Sequence, residues 1–117
     1  MYRRLVGSEP PLSLTLRYHR QAAAELNAEV VWYEHRLNGL GLRFKANVDA
    51  ALDDLLVWLD SGAIWPGIHP AATVRSYGVH RFPYRVVYMV CGSELIVIAI
   101  AADKRKPDYW RDRLDGT

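Results

Sequence analysis

The chain has 117 residues, the size of one domain, and 50% of them are apolar against 24% charged, the balance of an ordinary globular protein and not of a disordered or fibrous one. Its one cysteine, Cys91, excludes an internal disulfide framework and is read as a hairpin-end residue. The net charge of +2 is unevenly spread: residues 1–72 carry seven basic and eight acidic side chains, residues 73–117 eight basic and five acidic ones. An acidic partner, either nucleic acid or an acidic protein segment, is therefore expected at the last third.

The start, Met1-Tyr-Arg-Arg, has two arginines but no apolar run behind them, so it does not read as a signal peptide. The longest apolar stretch, Leu95 to Ala102, is far short of the roughly 20 residues that span a bilayer. A cytoplasmic protein without membrane attachment is expected, with residues 1–11 as a loose tail and 12–117 as a single domain.

After Pro10-Pro11, Leu12 to Tyr18 alternates apolar and polar residues, which predicts a half-buried strand. From Arg20 to Leu37 the apolar positions Ala22, Leu26, Val30, Tyr33 and Leu37 recur at three- and four-residue steps, as on one helix face. Asn38-Gly39 ends that helix, since both residues tolerate the left-handed conformation common at helix C-termini. A second helix is predicted from Leu42 to Asp60, with the stripe Phe44, Val48, Ala51, Leu52, Leu55 and Leu59. So short a connection makes the two helices an antiparallel hairpin.

A loop follows from Ser61 to Ala72, carrying Trp65 and His69. Three strands come next: Thr73 to Gly78, Arg81 to Val90 and Glu94 to Ala101, the last two joined by a turn at Cys91-Gly92-Ser93. The run in the last strand predicts burial on both faces and an internal place in the sheet. The tail, Asp103 to Leu114, leaves through a basic loop toward a helical turn or two, which Pro107 suits. The order βααβββ predicts an α+β domain, a helical hairpin packed on one face of a small, mainly antiparallel sheet.

Alternation from Arg81 to Val90 puts Phe82, Tyr84, Val86, Tyr88 and Val90 on one face, toward the helices, and Arg81, Arg85, Val87 and Met89 on the other. Arg81 and Arg85 are then expected on an uncovered sheet face in the same strand. Arg75 is expected to join them across a hairpin, and Lys104 and Arg105 to enter from the end of the last strand. His80 reads as a strand-start residue. No His, Cys or carboxylate spacing suggests a metal, no Gly-rich segment suggests a phosphate loop, and no cofactor is expected.

Three segments together resemble the RelE/ParE toxin superfamily: Trp32-Tyr-Glu34 followed by Gly39-Leu-Gly-Leu-Arg-Phe44, then Arg81-Phe-Pro-Tyr-Arg-Val-Val-Tyr88, then Arg105-Lys-Pro-Asp-Tyr-Trp110. They stand in the right order across residues 12 to 114, and the Phe-Pro-Tyr strand and Pro-x-Tyr-Trp ending look more like the ParE side, which includes plasmid stabilisation proteins. The resemblance implies the toxin of a type II toxin–antitoxin system, neutralised by a cognate antitoxin through which alone operator DNA is contacted.

ParE-like members poison DNA gyrase by binding it, whereas RelE-like members cut ribosome-bound mRNA without a metal. In the RelE-like alternative, Arg85 matches the arginine that contacts the reacting phosphate, with Arg81, Lys104 and Tyr109 as its companions. Where many ParE-like relatives carry a histidine after the last strand, this chain has Ala102 and then Asp103, a carboxylate that repels a phosphate substrate. A nuclease needs a base and an acid besides cationic groups; here no base stands out, and Tyr109 would need a strongly lowered pKa. The binding reading needs only aromatic and arginine anchors. Arg75, Arg81, Arg85, Lys104, Arg105, Tyr109, Trp110, Arg111 and Arg113 are the expected target-binding set.

Overall fold

The computed structural model describes residues 14–67 and 73–116. Strand β1 (Thr15–Tyr18) leads into helix α1 (Arg20–Arg36) and helix α2 (Leu40–Val57), followed by a 3-10 turn at Leu59–Ser61. Strands β2 (Ala63–Ile64), β3 (Val74–Gly78), β4 (Tyr84–Cys91) and β5 (Glu94–Ala102) follow, and a 3-10 segment, Arg111–Gly116, ends the chain. The sheet order is β1-β5-β4-β3-β2, with β1 parallel to β5 and the other neighbours antiparallel. The α+β arrangement expected from the pattern is thus present, with the two-residue strand β2 added at the far edge. Leu12 and Ser13 of the first expected strand, the tail before them, and His69 lie outside the described residues.

The hairpin is built on three sequence features. Gly39 takes the left-handed conformation, φ 87°, that turns the chain from α1 into α2 at no side-chain cost. Gly41 lets the helices approach, because a Cβ there would stand 2.3 Å from the Val30 carbonyl oxygen. Glu34, near the end of α1, accepts the backbone N–H groups of Gly39 (2.8 Å) and Gly41 (3.0 Å), satisfying donors that the first turn of α2 leaves without partners. The Trp-Tyr-Glu and Gly-x-Gly segments are therefore the two halves of one helix-to-helix joint. Tyr33 packs its ring on Phe44 and Phe82, each at 5.1 Å between centroids, and these join the helix-side core of Val48, Leu52, Leu55, Val86, Tyr88, Leu95 and Val97.

Two expectations about the sheet are corrected. The strand expected from Arg81 begins only at Tyr84, because residues 79–84 form a tight turn closed by Val79 N–H to the Tyr84 carbonyl at 2.9 Å. Arg81 sits in that turn with φ 70°, exposed and out of line with Arg85. The reverse face of the sheet is also not open. Trp110, only 1% exposed, lies over Val74, Val87, Ile96, Ile98 and Ala99, with Trp65, Tyr109 and Leu114 packed around them.

A bulge makes this second core possible. Register steps from Val87 opposite Ala99 to Tyr88 opposite Val97, leaving Ile98 as the extra residue. Ile98 and Ala99 then both join the reverse-face core, and Ile100 returns to the helix side.

Candidate functional site

The expected cationic set separates into four groups. Arg75 faces Tyr88 across the β3–β4 pair, so it shares the helix-side face and cannot join Arg85. Its guanidinium donates to the Gly62 carbonyl at 2.9 Å and lies 3.7 Å from the Asp60 carboxylate. Arg81 stands alone in the turn before β4. Arg85 does point to the reverse face, as alternation predicts, but it is half-buried and spends its donors on Ser76: Nε to Oγ at 2.9 Å and Nη2 to the carbonyl at 3.2 Å. The remaining residues belong to the C-terminal segment.

Arg85 lines a small cavity of about 100 Å³ with Trp65, Val87, Asp103, Arg105, Lys106, Tyr109 and Trp110. The structure thus brings Arg85, Arg105, Tyr109 and Trp110 to one place. Trp110, however, is a roof of the reverse-face core and not a surface anchor; its ring meets that of Trp65 edge-on at 5.1 Å. Trp65 in turn donates its indole N–H to Asp108. The Asp108 carboxyl is held below its usual range by the hydrogen bond from Arg111, with a further contribution from Trp65. Arg111 is tied down locally, 2.8 Å from Asp108 and 3.3 Å from the Gly67 carbonyl.

At the centre of the C-terminal attachment is Glu25, which the sequence reading does not single out. Strand β1 ends opposite Val97, so the edge of β5 beyond it has no neighbouring strand on that side. Glu25, from the second turn of α1, accepts the Ile100 N–H on this edge at 3.1 Å, the Tyr109 hydroxyl at 2.7 Å and both Arg113 Nη atoms at 2.9 Å. Arg113 also donates to the Ile98 carbonyl at 3.0 Å, the carbonyl of the bulged residue.

The side chains of Arg113 and Glu25 are 11% and 16% exposed, so this is a largely buried, fully hydrogen-bonded ion pair. Burial, together with the hydrogen bond to Glu25 and its charge, pushes the Tyr109 hydroxyl above the usual tyrosine range. That is opposite to what proton transfer at neutral pH would need. Arg113 is likewise a clamp and not a free anchor.

The exposed cations at this end are in the loop after β5, and one of them, Arg105, also lies 3.8 Å from the Glu25 carboxylate. Lys104 is exposed, and Arg105 is half-exposed with its guanidinium stacked 3.7 Å above the Tyr109 ring. Both line a groove of about 300 Å³ with Ala28, Glu29, Trp32 and Tyr84. Glu29 accepts the Tyr84 hydroxyl at 2.6 Å, and Arg36 covers the Trp32 ring at 4.1 Å. His80 is exposed in the turn before β4 and lines a groove with Asp54 and Tyr77 rather than the cavity of Arg85. Among the described residues, no three His, Cys, Asp or Glu side chains are grouped to hold a metal ion, and no helix is long and apolar enough to cross a membrane.

Glu25 could not be found from periodicity, because a carboxylate flanking the apolar stripe of a helix is normally solvated. Its signal is tertiary: the uncovered edge of β5 and a bulge that turns a carbonyl outward. Asp108 and Trp65 were equally hidden, since each lies in a loop and their pairing joins positions 43 apart in sequence.

No curated protein matches the chain. A chain of the solved "Chromosomal ParDE TA system from P. aeruginosa" is similar in structure, with a TM-score of 0.61 and 26% sequence identity over 77% of this chain and 96% of that one. Residues 16–109 match the profile of the family described as "ParE toxin of type II toxin-antitoxin system, parDE". That match spans both helices, strands β2 to β5, all but the first residue of β1, and Tyr109: the chain belongs to the ParE toxin family.

Proposed function

We propose that this ParE-family chain is a cytoplasmic toxin that acts by binding and poisoning DNA gyrase, and that a cognate antitoxin neutralises it. The observation that carries the reading is the state of Tyr109. Its hydroxyl is given to Glu25 and its pKa is raised by burial and by that carboxylate, so the one tyrosine lining the Arg85 cavity is held as a protonated structural donor. A docking toxin has no need of a base or an acid, only of a presented surface. The exposed cations Arg81, Lys104 and Arg105 are the target-binding residues of this proposal, with Arg85 set deeper behind them. Tyr109, Trp110, Arg111 and Arg113 support that surface from below, whereas Arg75 lies on the helix-side face and has no part in it.

The test is induced expression of the chain with and without its antitoxin, followed by assays of DNA supercoiling and mRNA integrity. Gyrase poisoning predicts filamentation, trapped gyrase–DNA complexes and intact mRNA. A double charge reversal, Lys104→Glu with Arg105→Glu, should weaken the effect at least tenfold, because rim charges steer association. Cleavage of ribosome-bound mRNA that disappears in Arg85→Ala would replace this reading by the nuclease one.

A further inference from the structure

The border of the sheet is blunt at two places and long at a third. β1 has four residues, and β2 has two with Pro66 close behind, too short to template another strand. The third is the part of β5 beyond Val97, where β1 has ended. It belongs to a strand with eight apolar residues in a row, Leu95 to Ala102, free of charge, proline and glycine. A segment of that composition pairs with copies of itself when its edge is open.

In the folded chain, side chains close this stretch in place of a strand. The backbone on the β1 side leaves β5 at His19, whose N–H donates to the Val97 carbonyl at 2.9 Å. Further along that edge, the Ile98 carbonyl accepts Arg113 Nη1 at 3.0 Å and the Ile100 N–H donates to Glu25 Oε1 at 3.1 Å. A residue of a parallel neighbour makes the same two bonds: it gives its N–H to one carbonyl and takes the N–H two residues on. The Arg113–Glu25 pair, joined at 2.9 Å, therefore stands where the next residue of a strand in line with β1 would stand. Arg113 belongs to the short 3-10 segment, so loss of the pair frees this edge and loosens the Trp110 cover over Val87, Ile96 and Ile98.

We propose that the Glu25–Arg113 pair is a latch that keeps two copies of this chain from joining through β5. With the latch open, residues 98–102 of one copy pair antiparallel with the same residues of a second, about a two-fold axis. The occupant is a second copy because the stretch is its own best match. Its uncharged, isoleucine-rich sequence offers no counter-charge to a nucleic acid or to a charged peptide, whereas an identical strand supplies both the backbone groups and the apolar side chains.

The experiment measures the mass of the full chain by sedimentation between about 10 µM and about 1 mM. Far-UV dichroism checks folding, and hydrogen exchange is followed at the Ile100 amide. The unmodified chain should keep the mass of one chain throughout. Glu25→Ala and Arg113→Ala should each rise to about twice that mass or more with concentration. Exchange at Ile100 should slow as they associate, while residues 103–116 exchange fast. Tyr109→Phe keeps the pair and should stay monomeric. Val48→Ala opens a cavity in the helix-side core, so it should lose stability and still stay monomeric.

Glu25→Ala and Arg113→Ala chains that are folded and monomeric across this range overturn the proposal. So does association of Val48→Ala or of the unmodified chain to the same degree, since neither has lost the latch. An assembly in which residues 103–116 stay protected has exchanged that segment between copies, and overturns it as well. Should Glu25→Ala not fold, Arg113→Ala, which leaves α1 unaltered, carries the test.

Discussion

The two faces of the sheet are covered in different ways. On one side, two helices spread a continuous apolar surface whose aromatic centre is Tyr33, Phe44, Phe82 and Tyr84. On the other, one tryptophan and a short 3-10 segment cover a smaller core, and polar clamps at the rim hold them there. The first cover is long, periodic and insensitive to any single polar contact. The second is short and depends on a few charged hydrogen bonds, chiefly those of Glu25. The difference shows that a segment too short to hold itself by buried area can be held by closing an open strand edge, where unpaired backbone groups already call for partners.

The comparison breaks most severely if the helix-side core is cut. Phe44 is fully buried, so Phe44→Ala should cost about 4 kcal/mol of global stability, read as a lowered denaturation midpoint in urea. A cost under about 1 kcal/mol would mean that the hairpin is not the main cover. Next comes the reverse face. Glu25→Ala strands Arg113 and the Ile100 N–H in a largely buried setting, for a loss of about 3 kcal/mol. Much of that loss should show as detachment of residues 103–116, seen as faster hydrogen exchange there while α1 and α2 stay protected. Equal loss of protection across both faces would contradict the separation drawn between them.

The smallest effect sharpens the contrast without destroying either face. Tyr109→Phe removes one donor to Glu25 and leaves Arg113 in place, so it should cost about 1 kcal/mol at neutral pH. Its clearer mark is in alkali. Tyr109 holds its proton in the folded chain above the ordinary tyrosine value of 10.0, while the unfolded chain gives it up near that value. Stability that is fully present below pH 10 therefore falls as the pH rises beyond it. Tyr84, also raised by burial and by Glu29, and Tyr18, pushed up to about 12 by burial and Asp49, act in the same direction. Urea unfolding between pH 8 and 12 should show a shallower decline in Tyr109→Phe than in the unmodified chain. Identical slopes would mean that Tyr109 is not held by Glu25 in solution.

Much of the fold was legible because its signals are local and periodic. The stripe from Phe44 to Leu55 gives α2 and its buried side, and the run from Leu95 to Ile100 gives a strand buried on both faces. Gly39 and Gly41 mark a joint whose backbone conformation and close approach glycine best accommodates. The start of β4 was misplaced by three residues for a definite reason. Arg81-Phe-Pro alternates in composition like a strand, yet the left-handed turn at Arg81 has no signature in an arginine. Of the site, the reverse-face position of Arg85 was readable from alternation, whereas the face of Arg75 depended on a pairing register that sequence does not fix.

By itself, the sequence determined the kind of domain this is: the helical hairpin, the hydrophobic strands and the family motifs all rest on residues close together in the chain, where spacing dictates geometry. Which cations are spent inside the fold depends instead on contacts between distant residues. Arg113 and Glu25, 88 positions apart, meet because the bulge at Ile98 and the end of β1 leave polar backbone groups that must be satisfied. Which charges are consumed inside and which remain for a partner follows from that long-range closure, a physical demand that no local pattern records.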